Sequence, residues 1–384
     1  MSIGNRQTGI AVIGTGGRGT YVIKNLLADS NRGVKIVSCY DKSASRTANA
    51  LKEWQSPETV ICSSYEETVK CHGVDWVMIF SPNVYHKEHI ICAFENSKHV
   101  FSEKPLATSI EDCVAINEAH RKSGKLFATG FVLRYAPVYR KVKELIDDGV
   151  IGRILSIDAN ENIHPPLGAY IIKNWRRHTA KAGPYILEKC CHDLDLLNWF
   201  CNSLPSRTAA FGGRDFFIGA NKKYEKLHNN GKKVFADWTD PESGLSSPFH
   251  DDTDLKDNLV SIFEYRNGIR VMFQTTMSNA IPERRMYIVG TEGNIVVDLY
   301  SSNIKYKRID ENELKVIEYP GDGHGGGDSV IMKELYENSM RKGEAPVCGG
   351  NEGLDSAVLA LAIDRAATEG IIVNLETVWK DLGK

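Results

Sequence analysis

Apolar residues along this chain follow two regimes. Between Gly9 and about residue 131, short continuous apolar runs alternate with stretches whose apolar positions recur at helical spacing. Ile10–Ile13, Val34–Tyr40, Thr59–Cys62, Trp76–Phe80, His99–Ser102 and Leu126–Thr129 read as strands, and 18–28, 44–54, 86–96 and 109–122 as helices. Continuous apolar strands alternating with helices predict a parallel sheet covered on both faces. From about 132 the pattern changes. A helix over Val138–Asp147 leads to an alternating strand over Arg153–Asn162, then a loop to Gly183-Pro184 and a long helix over 185–201. Alternation resumes at Leu259–Tyr265, Ile269–Thr276, Arg285–Val289 and Asn294–Leu299, with Asn267-Gly268 and Glu292-Gly293 between the runs. Such loops suit antiparallel hairpins. The second region therefore reads as an open, mostly antiparallel sheet with helices on one side, closed by helices near 328–342 and 353–369. The polar, turn-rich stretch 218–256 reads as a surface insertion. These readings divide the chain into residues 1–132 and 133–384.

The unusual residues of the first region cluster at predicted strand ends. After the first strand comes Gly14-Thr15-Gly16-Gly17-Arg18-Gly19, immediately before a helix. Gly14 permits a tight turn, Gly16 lets backbone approach a pyrophosphate, and Gly19 lets the helix pack close on the strand. Asp41 ends the second strand, 22 positions after Gly19, where a ribose-binding carboxylate is expected. Ser81-Pro82-Asn83 follows the fourth strand and Glu103-Lys104-Pro105 the fifth. Ligands of parallel sheets bind at the carboxyl ends of strands, so these segments converge on one edge and predict dinucleotide binding. Taken singly, Ser81-Pro82-Asn83 is equally a plain turn, and Lys104 equally a solvated surface lysine.

Composition narrows the classes. The 384 residues are 42% apolar and 25% charged, with a net charge of −2. That is an ordinary globular balance, with no basic field for nucleic acid or anionic membrane. No apolar run approaches spanning length, and MSIGNRQTG lacks the apolar core of a secretory signal, so a cytoplasmic protein is expected. Nine scattered cysteines read as reduced thiols.

The predicted 185–201 helix holds a second set of candidates. Glu188 and His192 stand four apart on one helical face. An imidazole can take a proton from an alcohol near neutral pH, and a carboxylate beside it can fix its tautomer. The same spacing equally describes an ordinary surface pair. Cys190-Cys191-His192 lacks a zinc-ligand pattern, and no metal is expected. In Gly321–Asp328, a glycine-rich loop, His324 is a substrate candidate or part of a flexible turn, and Asp328 a helix cap.

Together GIAVIGTGGRG, SPNVYHKEHIICAF, KHVFSEKPLA, GFVLRYAP, NWRR, the Glu188–His192 segment and GTEGNIVVD resemble the Gfo/Idh/MocA family of NAD(P)-dependent oxidoreductases over most of the chain. The resemblance implies an N-terminal Rossmann domain and a C-terminal α/β domain with an open, mostly antiparallel sheet. It also implies oxidation of a sugar, inositol or related polyol, and a homodimer or homotetramer formed through that sheet. It makes Lys104 the catalytic lysine and His192 the proton-transferring histidine, acting on one substrate hydroxyl. Glu188 stands where the family usually has Asp. Ser81, Asn83, His86 and Glu103 fall at cofactor-facing positions, and Trp175 and Arg176 near nicotinamide and substrate. Asp41 matches NAD-preferring members, while Arg46 keeps NADP open. Arg18 and the Gly323–Gly326 loop are similar to those of relatives that are NAD-dependent glycosidases, which oxidise a sugar transiently and eliminate its aglycone.

Overall fold

Six of the apolar runs pair into one sheet. They are β1 (Thr8–Ile13), β2 (Val34–Tyr40), β3 (Val60–Ile61), β4 (Trp76–Ile79), β5 (His99–Ser102) and β6 (Phe127–Thr129). Their order is β3-β2-β1-β4-β5-β6, with every neighbouring pair parallel. β1 and β4 are almost wholly buried, as strands covered on both faces must be. Helices α1 (Gly17–Asp29), α2 (Ala44–Trp54), α3 (Tyr65–Lys70), α4 (His86–Glu95) and α5 (Ile110–Ser123) make the crossovers. Serine side chains cap α2, α3 and α5, and Gly124, at φ +64°, ends α5. The strand order reverses between β1 and β4, the usual nucleotide crevice of such sheets. The computed structural model describes residues 7–30, 33–235, 245–320 and 323–384.

The chain forms two compact units, one reaching to Tyr135 and including Gly326–Ala357, the other Ala136–Gly325 with Val358–Lys384. The sequence reading gave all of 133–384 to the second; the structure returns 326–357 to the nucleotide unit. Thr129 shows why: its N–H and hydroxyl donate to the carbonyls of Cys348 and Gly349, tying that segment to β6.

The second unit begins with α6 (Pro137–Asp147), β7 (Ile154–Asn162), α7 (Pro165–Lys173) and α8 (Thr179–Ala182). The expected 185–201 helix is broken into α9 (Tyr185–Glu188) and α10 (Cys191–Cys201). Cys190, at φ −90° and ψ 1°, turns the chain between them. Then come β8 (Pro205–Gly213), a small hairpin of β9 (His228–Asn229) and β10 (Lys232–Lys233), and β11 (Asn258–Tyr265), β12 (Arg270–Thr276), β13 (Arg285–Gly290), β14 (Gly293–Asp298), β15 (Asn303–Arg308) and β16 (Lys315–Glu318). With β17 (Val373–Asn374) they make a nine-stranded sheet, β16-β15-β14-β13-β7-β12-β11-β8-β17. The β7–β12 pair is parallel and the others antiparallel. α6 and α10 cover one face. The other exposes Phe211, Val260, Ile262 and Met272.

The insertion carries a small aromatic core. Phe216, Phe217, Phe235 and Phe249 meet with ring centroids 5.0–6.1 Å apart. Asp257 accepts the N–H groups of Asp215, Phe216 and Phe217, and buried Lys173 donates to the Phe235 carbonyl. α11 (Gly327–Glu334) runs into a π turn at Leu335–Met340, followed by α12 (Gly350–Glu369) and α13 (Glu376–Asp381). Among the described residues, no helix is long and apolar enough to cross a membrane.

Candidate active site

The nucleotide unit builds its site from turns at strand ends. Gly14, just beyond β1, sits at φ +92°, and a Cβ there would lie 2.6 Å from the Phe80 carbonyl carbon. A side chain is excluded by both conformation and space. Gly19 would place its Cβ 2.3 Å from the Gly14 oxygen, so helix and turn approach as closely as backbone permits. At Gly16 and Gly17 nothing lies within 4 Å of an added Cβ. α1 has no side-chain cap and no acid in its first turn. Its leading N–H groups are thus left for an anion, which fits a pyrophosphate.

Asp41, just after β2, accepts from the Thr15 N–H at 2.7 Å and the Ser43 N–H at 2.9 Å. The expected ribose acid therefore also braces the glycine turn. After β4, the Ser81 hydroxyl meets Nδ1 of His89 at 2.9 Å, and Asn83 is buried. Burial pushes the His89 imidazole down to about 3, so it stays neutral. His89 was missed by the sequence reading, although it stands three residues after His86 on one helix.

His86, expected at a cofactor-facing position, spends both ring nitrogens on backbone carbonyls. It is fully buried, with Nδ1 2.8 Å from the Pro105 carbonyl and Nε2 2.9 Å from the Ser81 carbonyl. It stitches the turn after β4 to the turn after β5. Burial pushes this imidazole down against the pull of both carbonyls.

Glu103 is likewise held inside the protein. Its carboxylate takes Arg18 Nε at 2.7 Å, while Arg18 reaches Asp328 at 2.6 Å. Burial would lower the Arg18 guanidinium, but the two carboxylates outweigh it and hold it above its ordinary value. Asp328 lies in the first turn of α11, where Gly326 is the N-cap position. The expected cap is thus an ion-pair partner for Arg18. Lys104 follows Glu103, and its peptide bond to Pro105 is cis.

The second unit holds its candidates differently. Glu188 ends α9 and His192 lies in α10, so the two residues expected on one continuous helix stand on either side of the Lys189-Cys190 break. Glu188 Oε1 takes Arg176 Nε at 2.8 Å. The Arg176 guanidinium lies 4.4 Å from the Trp175 ring centroid and 3.3 Å from the Tyr170 hydroxyl. Trp175, Arg176 and Glu188 are thus one cluster, with Tyr170 added by α7. His192 stands in the first turn of α10, nearly buried, with the His324 ring centroid 5.9 Å away. His324 therefore belongs beside His192, while Gly321 and Asp322 of its loop lie outside the described residues.

Beneath His192 is an ion cluster that sequence reasoning did not find. Arg284 grips Asp193 through Nε at 2.8 Å and a terminal nitrogen at 2.7 Å. Its other terminal nitrogen and Lys189 each lie 3.1 Å from Glu161 Oε1. Burial and the facing Glu161 charge push the Asp193 carboxyl up, whereas Arg284 and Lys189 outweigh burial and hold Glu161 down. These pairs fasten the start of α10 to the sheet. Glu161, Cys190 and Asp193 come close enough to suggest a metal site, but two cations already neutralise both carboxylates, and thiol and acids are left without a charge for an ion to balance.

An uncapped helix start at a glycine turn and an acid at the neighbouring strand end mark a dinucleotide-binding fold. Residues 8–131 match the oxidoreductase family's NAD-binding Rossmann fold, and 143–375 its C-terminal alpha/beta domain. The chain belongs to the Gfo/Idh/MocA oxidoreductase family. It is 34% identical over 195 residues to inositol 2-dehydrogenase of Gluconacetobacter diazotrophicus, covering 50% of this chain and 53% of that protein. It is 24% identical to 1,5-anhydro-D-fructose reductase of Ensifer adhaerens, over 90% of this chain and 92% of that protein. The fold matches a levoglucosan dehydrogenase solved with NADH and levoglucosan, with a TM-score of 0.79, 18% identity and coverage of 97% and 100%.

Proposed function

We propose that this protein oxidises a hydroxyl of a sugar, inositol or related polyol, with NAD as the partner oxidant. The observation that carries this reading is the imidazole pair, His192 and His324, 5.9 Å apart, in a unit whose buried Glu161, Glu188 and Asp193 are tied up by cations. An alcohol gives up a proton as its carbon is oxidised, and an imidazole is suited to receive it near neutral pH. NAD, when bound, accepts the hydride that leaves the same carbon. The turn from Gly14 to Gly19 would hold the pyrophosphate and Asp41 the ribose, with Ser81 and Asn83 beside them. Lys104 would hold the substrate oxygen as charge builds on it. Arg176, set by Glu188 and Trp175, would orient the substrate's other hydroxyls. Asp41 disfavours a 2′-phosphate, so NAD is favoured over NADP.

The same imidazole pair supports a second reading. A glycosidase that oxidises a sugar transiently and then eliminates its aglycone needs one base for the hydroxyl proton and another for the carbon-bound proton. His192 and His324 would serve as that pair. A panel of sugars, inositols, sugar acids and aryl glycosides with NAD and NADP separates the readings. Accumulating reduced cofactor supports the dehydrogenase, and aglycone release without net reduction supports the glycosidase. Silence across the panel, with NAD bound, contradicts both.

The uncovered sheet face supports self-association. Phe211 and Ile262 are 81% and 58% exposed, and Met272, Val260 and Tyr287 extend the patch across β8, β11, β12 and β13. Apolar surface of this kind, flanked by Arg207, Glu264 and Arg270, suits a two-fold contact between copies of the chain. Light scattering of wild type and Phe211→Lys tests it, a smaller mass being expected for the variant.

A further inference from the structure

Of the nine cysteines, seven are buried and two, Cys71 and Cys92, are half-buried. Cys71 has a second sulfur next to it. Its Sγ lies 3.7 Å from Sγ of Cys62, which is 6% exposed. Cys62 follows β3 directly, and its N–H donates to the Cys39 carbonyl of β2 at 3.0 Å. Cys71 is the residue that ends α3. The pair thus joins the end of β3 to the end of α3, one strand away from β2 and Asp41.

We propose that Cys62 and Cys71 form a reversible disulfide that weakens nucleotide binding from the adenosine end of the site. The proposal rests on the reading of Asp41 as the ribose acid. A disulfide needs sulfurs about 2.05 Å apart, so the two must close by roughly 1.7 Å. Neighbouring structure resists that motion. The Thr68 carbonyl of α3 accepts the Ser38 hydroxyl of β2 at 2.8 Å, and β2 runs through Cys39 and Tyr40 into Asp41. Drawing the end of α3 onto β3 therefore strains the strand whose last carboxylate braces the glycine turn through Thr15 and Ser43.

The exposures assign the order of events. Cys71, reachable from solvent, attacks a low-molecular-weight disulfide, and one thiol leaves. Cys62 then attacks the Cys71 sulfur and expels the second thiol. Two protein thiols are oxidised, one external disulfide is reduced, and the two protons end on the departing thiols. Burial pushes the Cys62 thiol up to about 11, so the second step is the slow one, and faster at alkaline pH. Cys92 serves as an internal control, half-buried but outside the pair.

The test uses the full-length protein, reduced and then equilibrated with oxidised glutathione, alkylated and mapped by mass spectrometry. A Cys62–Cys71 link, two hydrogens lighter and reversed by dithiothreitol, is expected, with Cys92 at most glutathionylated. The NAD dissociation constant should rise by about fivefold on oxidation, the low end of ordinary coupling between sites. By linkage, saturating NAD should shift the equilibrium towards the dithiol by the same factor. C62S and C71S should keep the reduced affinity and lose the response. Cys71 stopping at a glutathione adduct while Cys62 stays alkylatable would overturn the proposal, and so would a complete link that leaves NAD affinity unchanged. The Asp41 reading fails separately, if reduced Asp41→Asn binds NAD as tightly as wild type.

Discussion

The two units place their functional groups by different physical means. In the nucleotide unit, groups sit on turns at strand ends, and backbone sterics hold them: Gly14 fits because a side chain would meet Phe80, and Gly19 because it would meet Gly14. In the second unit, His192 sits at a helix start fastened by the buried ions Arg284, Asp193 and Glu161. The glycines of the turn lie within one strand–turn–helix unit, although Gly14 packs on distant Phe80. The ion pair has no such local unit, since Arg284 and Asp193 are 91 residues apart. The glycine turn should fail on added volume, and the helix start at His192 on loss of charge.

The largest effects should fall on chemistry. His192→Ala and Lys104→Ala are each expected to lower turnover by about 10²–10⁴, the usual contribution of a general base or charge-stabilising group. For His192→Ala, NAD affinity should change by less than about twofold, since His192 belongs to the other unit. Steady-state kinetics and NAD titration read both; near-normal turnover in either variant removes that residue from the reaction.

Next comes the ion cluster. Arg284→Met leaves Asp193 and Glu161 buried with one cation between them, and should cost about 3–5 kcal/mol in denaturant unfolding. Replacing Arg284 and Asp193 together by apolar residues should cost much less, because no lone charge remains. Equal losses would show that the charges are incidental. On the other side of the comparison, Gly14→Ala forces a side chain to φ +92° against Phe80 and should cost about 1–3 kcal/mol of stability. Gly16→Ala meets open space, so its Tm should hold while NAD binding weakens roughly tenfold, about 1.4 kcal/mol.

What was legible follows the same division. The parallel strands were readable within a residue or two, because β1 and β4 bury both faces and so carry unbroken apolar runs. The glycine turn and Asp41 were readable because their spacing is set by one strand–turn–helix unit. α7 was read as loop because it opens with Pro165-Pro166, although proline suits the first turn of a helix. β15 and β16 were missed because NIKYKR is mostly polar and KVIE buries none of its residues, so neither shows the alternation of a half-buried strand. The break before α10 was invisible because apolar spacing continues through Cys190. Asp328 carried no signal for Arg18, its partner 310 residues away.

A separate effect is expected on pH dependence. Asp193 is raised, chiefly by burial and then by Glu161, with Arg284 opposing. The folded state therefore binds more protons there than the unfolded state does. Stability should fall as pH climbs from the ordinary carboxylate range to about 7, and Asp193→Asn should flatten that slope. Glu161, held low, acts in the opposite sense as pH falls below the ordinary carboxylate range. Thermal unfolding across that range, wild type against variant, measures the difference.

The central claim is that a carbon-bound hydride leaves a polyol or sugar for the nicotinamide. It is tested most directly by turning over a substrate deuterated at the oxidised carbon and weighing the reduced cofactor. One deuterium carried into the cofactor is the expected result. Label found only in water, with the cofactor unlabelled, would contradict it.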